Sequence, residues 1–483
     1  MPATAQVHYP EIFATVPLVV DLDNTLIRSD LLVESAFSHV GADPMRLPAL
    51  ISALFRGKAA LKAAIARDTA IDVAHLPYDE RVLKLIEEAR AARRPVYLAS
   101  ASNERYVKAV ADHLGVFAGW FASTAEENLS SSAKAKRLVE RFGERGFDYV
   151  GNDQADIAVW AVARHGIGVA TSNSVRRQLT EIDHDAIVLD KPGGRWRAWI
   201  KLLRLHQWAK NALVLVPVLT AHRFDPTSIA LAIGAFLTFS CAASAIYIVN
   251  DLVDLEADRK HPSKKRRPLA AGTVPILQAI FVAPVMIAIA LGGALIINPL
   301  FAAVLLGYLV LTTAYTFTLK RKMIIDIVVL ASLYTIRVIG GAAAISVLMS
   351  EWLLGFSMFI FTCLALVKRY VELVARVDAD LPDPTNRNYR KSDLPIVASL
   401  AAAAGFNAVT VFALYVSSDA VRQLYHHPAA LWLVCPILMY WLGRALMMAH
   451  RRLMDDDPIV FALKDINSVV AFGLIGVIMI AAI

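Results

Sequence analysis

The segment Asn250-Asp251-Leu252-Val253-Asp254-Leu255-Glu256-Ala257-Asp258-Arg259 ends an apolar run, Thr227 to Val249, and precedes His261-Pro262 and the basic stretch Lys264 to Arg267. An α-helix needs about 20 apolar residues to cross a bilayer, and the run before Asn250 supplies them. Asn250, Asp254 and Asp258 recur every four residues, so on a helix they share one face. Oxygen ligands there can hold Mg2+ against a diphosphate, while Arg259, Lys264 and Arg267 can grip its oxygens. The pattern suits pyrophosphate departure at the end of a membrane helix. Charges just outside a membrane helix are usually only solvated, but regular spacing beside so dense a basic run argues for a site.

Composition agrees with a membrane assignment. Of 483 residues, 57% are hydrophobic and 19% charged, and the mean hydropathy of +0.51 is too high for a chain whose whole surface faces water. The apolar spans expected are Ala212 to Ala221, Thr227 to Val249, Pro275 to Ile297, Leu300 to Leu319, Ile324 to Ile345, Trp352 to Val367, Leu394 to Val416, Pro428 to Leu446 and Ile466 to Ile483, about nine helices. Their connecting loops differ in charge. One alternate set holds 19 basic residues, Arg259, Lys260, Lys264 to Arg267, Lys320 to Lys322, Lys368, Arg369, Arg376, Arg387, Arg390, Lys391, Arg444, Arg451, Arg452 and Lys464, whereas the other offers Arg223 and Arg422. Positive-inside bias puts the first set in the cytoplasm, at the inner face of a cell membrane.

The formal charge of +7 is spread over these loops, which reads as topology and not as a nucleic-acid surface. Cys241, Cys363 and Cys435 lie far apart in apolar runs, so no disulfide framework or metal knuckle is expected. Met1 to Pro17 carries no basic region leading into an apolar stretch, and no secretory signal is expected there.

From Val16 to about Asp190 the rhythm changes. VPLVVDLDNTL, RPVYLASAS, FDYVGND and GIGVATSN alternate with charged helical stretches, as βα units around a parallel sheet do. The expected organisation is an α/β Rossmann-like domain over 1–190, a linker over 191–199 and an all-α membrane domain over 200–483. Asp21 and Asp23 follow the strand-like LVV, where open α/β sheets build their sites. One carboxylate can attack phosphorus while the other handles the leaving-group proton, provided a cation neutralises the converging charge. Ser100, Lys134, Asn152 and Asp156 add a hydroxyl, an ammonium and oxygen ligands, with Ser102 and Lys136 as alternatives to Ser100 and Lys134.

These motifs, DLDNT, LAS, SAKAK and GNDQAD, resemble in order those of the haloacid dehalogenase (HAD) superfamily, most of whose members are Mg2+-dependent phosphatases. The resemblance implies Asp21 as nucleophile, Asp23 as general acid and base, Ser100 and Lys134 on the phosphate, Mg2+ held by Asp21, Asp23, Asn152 and Asp156, and a helical cap over Arg28 to about Glu80. The family usually has an aspartate after the glycine of its last motif, whereas here Asn152 follows Gly151 and the carboxylate is displaced to Asp153.

Residues 200–483 resemble the UbiA superfamily of intramembrane prenyltransferases through QWAKN, NDLVDLEAD, HPSKKRRPLAAG and DIVVLASLYTIRVIGG. Members with aromatic acceptors usually carry a second Asp-rich motif where this chain has KRYVE. That basic, Tyr-containing cluster and the Gln-Trp-x-Lys-Asn segment look more like the branch that makes polyprenyl-phosphate 5-phosphoribose. The branch implies phosphoribosyl pyrophosphate as donor and polyprenyl phosphate as acceptor, Mg2+ at Asn250, Asp254 and Asp258, and Gln207, Lys210, Asn211, Arg337, Lys368, Arg369 and Tyr370 around the substrates. Arg337 lies in an apolar run with Asp326 eleven residues earlier, and intramembrane charges normally face a cavity. The fusion then suggests sequential chemistry, in which the HAD-like half removes the 5-phosphate. The competing expectations are an aromatic polyprenyltransferase of quinone or haem type and a transporter or membrane anchor with a regulatory domain.

Overall fold

The computed structural model describes residues 16–42, 65, 71–124, 127–190, 194–384, 387–454 and 458–483. Most of the expected cap and the start of the expected linker lie outside the described residues. The chain divides into two compact units, one joining residues up to Leu203 with Tyr247–Ala283, the other joining Arg204–Ile246 with Pro284–Ile483. Compactness therefore groups the acidic segment and its basic loop with the N-terminal residues.

The first unit is built on six parallel strands, β1 (Leu18–Val20), β2 (Val96–Asn103), β3 (Gly119–Ser123), β4 (Asp148–Gly151), β5 (Gly166–Val169) and β6 (Ile187–Leu189), in the order β3-β2-β1-β4-β5-β6. β1 is fully buried, as a β-branched run at the centre of a parallel sheet should be. Its side chains alternate between two cores. Leu18 and Val20 pack with Leu98 and Val150 on one face, Val19 with Ala99 and Tyr149 on the other. Amphipathic helices close both faces; Glu80–Ala91, for example, buries Val82, Leu85, Ile86 and Ala89 at helical spacing. β1 pairs with β2 on one side and β4 on the other, so the strand order reverses beside it. Asp21, Ser100 and Asn152 consequently come together at the switch point of the sheet. β3 and β6 are strands that the sequence patterns did not suggest: β3 begins at glycine, and both are largely half-exposed edges.

Among the described residues, seven helices are long and apolar enough to cross a membrane: Pro226–Val253, Ile276–Ile297, Pro299–Phe317, Ile325–Ala344, Glu351–Asp378, Lys391–Val416 and Pro428–His450. About nine were expected. The first expected span instead winds as a 3-10 segment, Leu205–Leu215, followed by the short helix Val216–Thr220. The last expected span, Ile466 to Ile483, is a helix over Ile466–Ala482 of 17 residues, at the short limit for crossing. Glu351–Asp378 also runs well beyond Val367, because Lys368, Arg369 and Glu372 are good helix formers and Val371, Leu373 and Val374 continue its buried face. Leu277, Phe281, Val285 and Ile289 repeat every four residues along Ile276–Ile297 and are each at least half exposed. Such an outward apolar stripe belongs in lipid. The protein is a multi-pass membrane protein.

Candidate functional site

Four strand-end or helix-start residues converge in the first unit. Lys134, in the first turn of Ser132–Phe142, donates to Asp21 Oδ1 at 2.8 Å and to the Tyr149 hydroxyl at 2.9 Å, and lies 3.6 Å from Asp156. Thr25 donates to the other Asp21 oxygen at 3.1 Å and to Asn152 Oδ1 at 3.3 Å. Asp23 accepts from the Ser100 and Ser102 hydroxyls at 2.9 and 2.7 Å, and from Leu31 N at 2.8 Å. Both serines therefore reach the same carboxylate. Lys136, by contrast, is exposed and pairs with Glu140.

Asp156 is held by Tyr149 Oη at 2.7 Å and by the Asn152 and Asp153 amides at 2.8 and 3.1 Å. Gly151 permits this turn, since a Cβ there would meet the Asp156 carboxyl carbon at 2.7 Å. Asp153 is exposed, and its carboxylate accepts from the Gln154 amide as a cap. The displaced carboxylate thus does not stand in for the one missing at Asn152.

Three carboxylates, Asp21, Asp23 and Asp156, face one buried ammonium. Burial raises the Asp21 carboxyl to about 7; Lys134 pulls it back, while Asp156 and Asp23 push it up. For Lys134, burial opposes the charge, but Asp21 and Asp156 more than offset it and its pKa rises. Burial also raises the Tyr149 phenol, helped by the Asp156 and Asp21 charges, so Tyr149 stays a neutral donor. Among the described residues no three His, Cys, Asp or Glu side chains form a ready-made metal cage. Mg2+ does not require one, since it binds through one or two carboxylates and keeps waters. An excess of buried negative charge beside Asn152 fits such a cation.

The acidic segment is not one continuous helix. Pro226–Val253 gives way at Asp254, which adopts a non-helical φ/ψ and precedes the short helix Leu255–Lys260 without a side-chain capping bond to it. The four-residue repeat survives as backbone bonds, Asp254 N to Asn250 O at 2.9 Å and Asp258 N to Asp254 O at 2.8 Å. Arg267 Nη1 bridges two buried carboxylates, Asp251 at 3.1 Å and Asp258 at 2.7 Å. Asp251 was not among the expected site residues. It meets Asp258 through Arg267 across the break at Asp254, a relation the four-residue pattern hides. Arg259 is bonded to both oxygens of Glu34 at 2.8 and 2.6 Å, with both side chains more than nine-tenths buried. Lys260 bridges Glu256 and Asp72, and Lys264 is exposed.

In the second unit, Arg337 donates to Asn211 Oδ1 at 2.8 Å, to the Leu333 carbonyl and to the Tyr308 hydroxyl, with its guanidinium over the Tyr308 ring. Asn211 donates in turn to Ser240 at 3.1 Å. Asp326 pairs with Arg369 at 2.6 Å and accepts from Tyr389 Oη at 2.6 Å, so its partner is Arg369 and not Arg337. Arg369 also pairs with Glu372, to which Arg387 bonds at 2.7 Å. Tyr370 Oη lies 2.9 Å from His450 Nδ1. Gln207 and Lys210 lie in and around the 3-10 segment that carries Asn211, and Lys368 neighbours Arg369 on its helix.

Residues 212–469, more than half of the chain, match the UbiA prenyltransferase family. A Sinorhizobium fredii protein named as uncharacterized is 36% identical over 455 residues, covering 94% of this chain and 88% of that protein. The nodulation protein NoeC of Azorhizobium caulinodans is 37% identical over 283 residues, 56% of this chain and 90% of that protein. The decaprenyl-phosphate phosphoribosyltransferase of Mycobacterium tuberculosis is 40% identical over 192 residues, 39% of this chain and 64% of that enzyme.

Proposed function

The chain belongs to the UbiA prenyltransferase family, and from that premise we propose that it transfers 5-phosphoribose from phosphoribosyl pyrophosphate to a polyprenyl phosphate. The bond from ribose C1 to the pyrophosphate oxygen breaks, and an oxygen of the lipid phosphate forms the new bond to C1. The observation that carries this reading is the similarity to decaprenyl-phosphate phosphoribosyltransferase, joined to a buried carboxylate pair clamped by Arg267. Asn250, Asp254 and Asp258 would hold Mg2+, which supplies positive charge for departing pyrophosphate. Arg267 fixes the Asp258 carboxylate in place, and Lys264, on the exposed basic loop, is suited to meeting anionic substrate. In the bundle, Lys368 and Tyr370 are the candidates for orienting a phosphate, with buried Arg369 anchoring their helix through Asp326 and Glu372, and the loop charges support a cytoplasmic location.

The N-terminal site then removes the 5-phosphate, leaving polyprenyl-phosphoryl ribose. Asp21 attacks phosphorus and the ester oxygen departs with a proton from Asp23, whose position Ser100 and Ser102 hold. Water then cleaves the aspartyl phosphate, releasing inorganic phosphate. Lys134 neutralises the oxygens of the transferring group, and Tyr149 keeps Lys134 and Asp156 in register. Mg2+ beside Asp21 and Asn152 would lower the charge that the incoming phosphate must face.

The test offers purified protein two donor and acceptor pairs, with pyrophosphate release as readout. Mg2+-dependent release from phosphoribosyl pyrophosphate with polyprenyl phosphate, lost in Asp254→Asn, supports the proposal. Release only from a polyprenyl diphosphate with an aromatic acid overturns it in favour of aromatic prenylation. No release from either pair contradicts both.

A further inference from the structure

A cavity of about 360 Å³ opens beside the Asp21 site, with Asn24 and Asn152 in its wall. Its size lies within the range of small-molecule sites, roughly 300–1,000 Å³. Asn152 accepts from Thr25, which also donates to Asp21, so this wall is one side chain removed from the candidate nucleophile. Three guanidinium groups line the same cavity, those of Arg28, Arg81 and Arg195, against a single carboxylate, Asp79.

The arginines are held in place by their surroundings. Asp79 is buried and accepts from Arg81 Nε and Nη2 at 2.9 and 2.7 Å, and from Arg28 Nε and Nη2 at 3.2 and 3.4 Å. Burial opposes ionisation of Asp79, yet the bonds from Arg81 and Arg28 hold its carboxyl down to about 2. Arg81 is further fixed by the Asp190 carbonyl. Arg195 donates to Gln278 Oε1 at 2.6 Å, and Gln278 lines the cavity too. Asp79 in the wall and Asp190, whose charge also acts on Arg81, do not match three guanidiniums, so the cavity lining keeps a net positive charge with planar donors suited to phosphate oxygens.

We propose that this cavity is a second-anion subsite of the phosphatase, selecting phosphate monoesters that carry a further phosphate or phosphodiester on the same sugar. The monoester sits at Asp21 and Lys134, and the second anion is gripped by the guanidiniums of Arg28, Arg81 and Arg195. This rests on the N-terminal site being a phosphatase for a pentose 5-phosphate. In that setting the second anion is the C1 phosphodiester that links ribose to the lipid. Thr273, Pro275 and Gln278, at the start of the apolar helix Ile276–Ile297, line the cavity. A lipid-linked anion is therefore favoured over a free sugar bisphosphate as the natural occupant.

The test uses the full chain in nanodiscs with Mg2+ and two probes, ribose 1,5-bisphosphate and ribose 5-phosphate, followed by phosphate release. The expected kcat/KM is higher for the bisphosphate by about tenfold or more, the order of discrimination that one charge-assisted contact provides. Arg195→Gln leaves the Arg28, Asp79 and Arg81 cluster whole and should collapse this ratio toward one through KM. A merely structural role would lower both values together, and that result, or equal kcat/KM in the unaltered protein, overturns the subsite. If neither probe is hydrolysed, the phosphatase reading fails, and calorimetry in an Asp254→Asn background still decides the subsite. Tighter binding of the bisphosphate that is lost in Arg195→Gln sustains it; equal binding of both probes overturns it. A free sugar bisphosphate is distinguished from a lipid-linked occupant by adding polyprenyl-phosphoryl 5-phosphoribose as competitor. Inhibition of bisphosphate turnover by the lipid that is weakened in Arg195→Gln supports the lipid source, and no inhibition overturns that part.

Discussion

Replacing Asp21 by asparagine should stabilise the metal-free protein at alkaline pH while abolishing phosphatase activity. The carboxyl is buried with Asp23 and Asp156 nearby and titrates at about 7, against 3.8 for an unperturbed aspartate. At 1.36 kcal/mol per unit, holding Asp21 ionised costs up to about 4 kcal/mol, less whatever local relaxation recovers. The folded state binds the proton more tightly than the unfolded state. Stability from this group is therefore fully present below pH 3.8 and is lost as pH rises through about 7. The amide that Asp21→Asn introduces would keep the shape and can still accept from Lys134, but it has no proton to lose. Calorimetric melting of the full chain with a chelator should show the unaltered protein losing stability between pH 5 and pH 8 while Asp21→Asn stays nearly flat. At pH 8 the variant's N-terminal unit should melt several degrees higher, at about 2–4 °C per kcal/mol for a unit of this size. Mg2+ should raise the melting temperature of the unaltered protein more than that of the variant. A variant that melts lower at pH 8, or an unaltered protein with no pH dependence, would refute the reasoning.

Other outcomes follow from single contacts. Glu34→Ala should lower the melting temperature of the first unit, since removing one partner of a buried pair costs about 3–5 kcal/mol; Arg259→Lys should not restore what Arg259→Ala loses, because an ammonium cannot reproduce the two-oxygen grip. Asp326→Asn should shorten the half-life of the detergent-solubilised protein at elevated temperature through the loss of its pair with buried Arg369, and Tyr389→Phe, removing the bond its hydroxyl donates to Asp326 and the one it accepts from Ile324 N, worth about 1–2 kcal/mol each, should do so less. Asn152→Asp should lower the Mg2+ concentration giving half-maximal phosphate release by about tenfold, as a carboxylate is the better ligand for this ion; an unchanged requirement would show that position 152 lies outside the metal site.

Much of the first site was legible because strand ends advertise themselves. LVV, VYLAS and DYVG are strands whose last residues must meet at the centre of a parallel sheet, so the pattern alone groups Asp21, Ser100 and Asn152. Tyr149 was not legible: within FDYVG it reads as one more core residue, and only the packing shows its hydroxyl linking Lys134 to Asp156. Hydropathy located the apolar helices, but it could not show that the segment around Asn211 winds as a 3-10 turn. There Gly341 allows the close approach, since a Cβ would meet the Val214 carbonyl at 2.0 Å. Charge pairing was least legible. In the sequence Asp326 stands in the same apolar run as Arg337, whereas its partner, Arg369, lies 43 residues away, and Glu34 is separated from Arg259 by 225 residues. Periodicity carries no information about contacts between separate elements.

The most direct measurement of the central claim uses phosphoribosyl pyrophosphate labelled with 14C in the ribose and 32P in the 5-phosphate, incubated with polyprenyl phosphate, Mg2+ and purified protein. In the unaltered protein 14C should enter the lipid phase while 32P appears as inorganic phosphate. Asp21→Asn should retain both labels in the lipid, and Asp254→Asn should transfer neither. Absence of 14C from the lipid in folded, unaltered protein would contradict the transferase, and 32P that stays with the 14C in that lipid would contradict the coupled phosphatase.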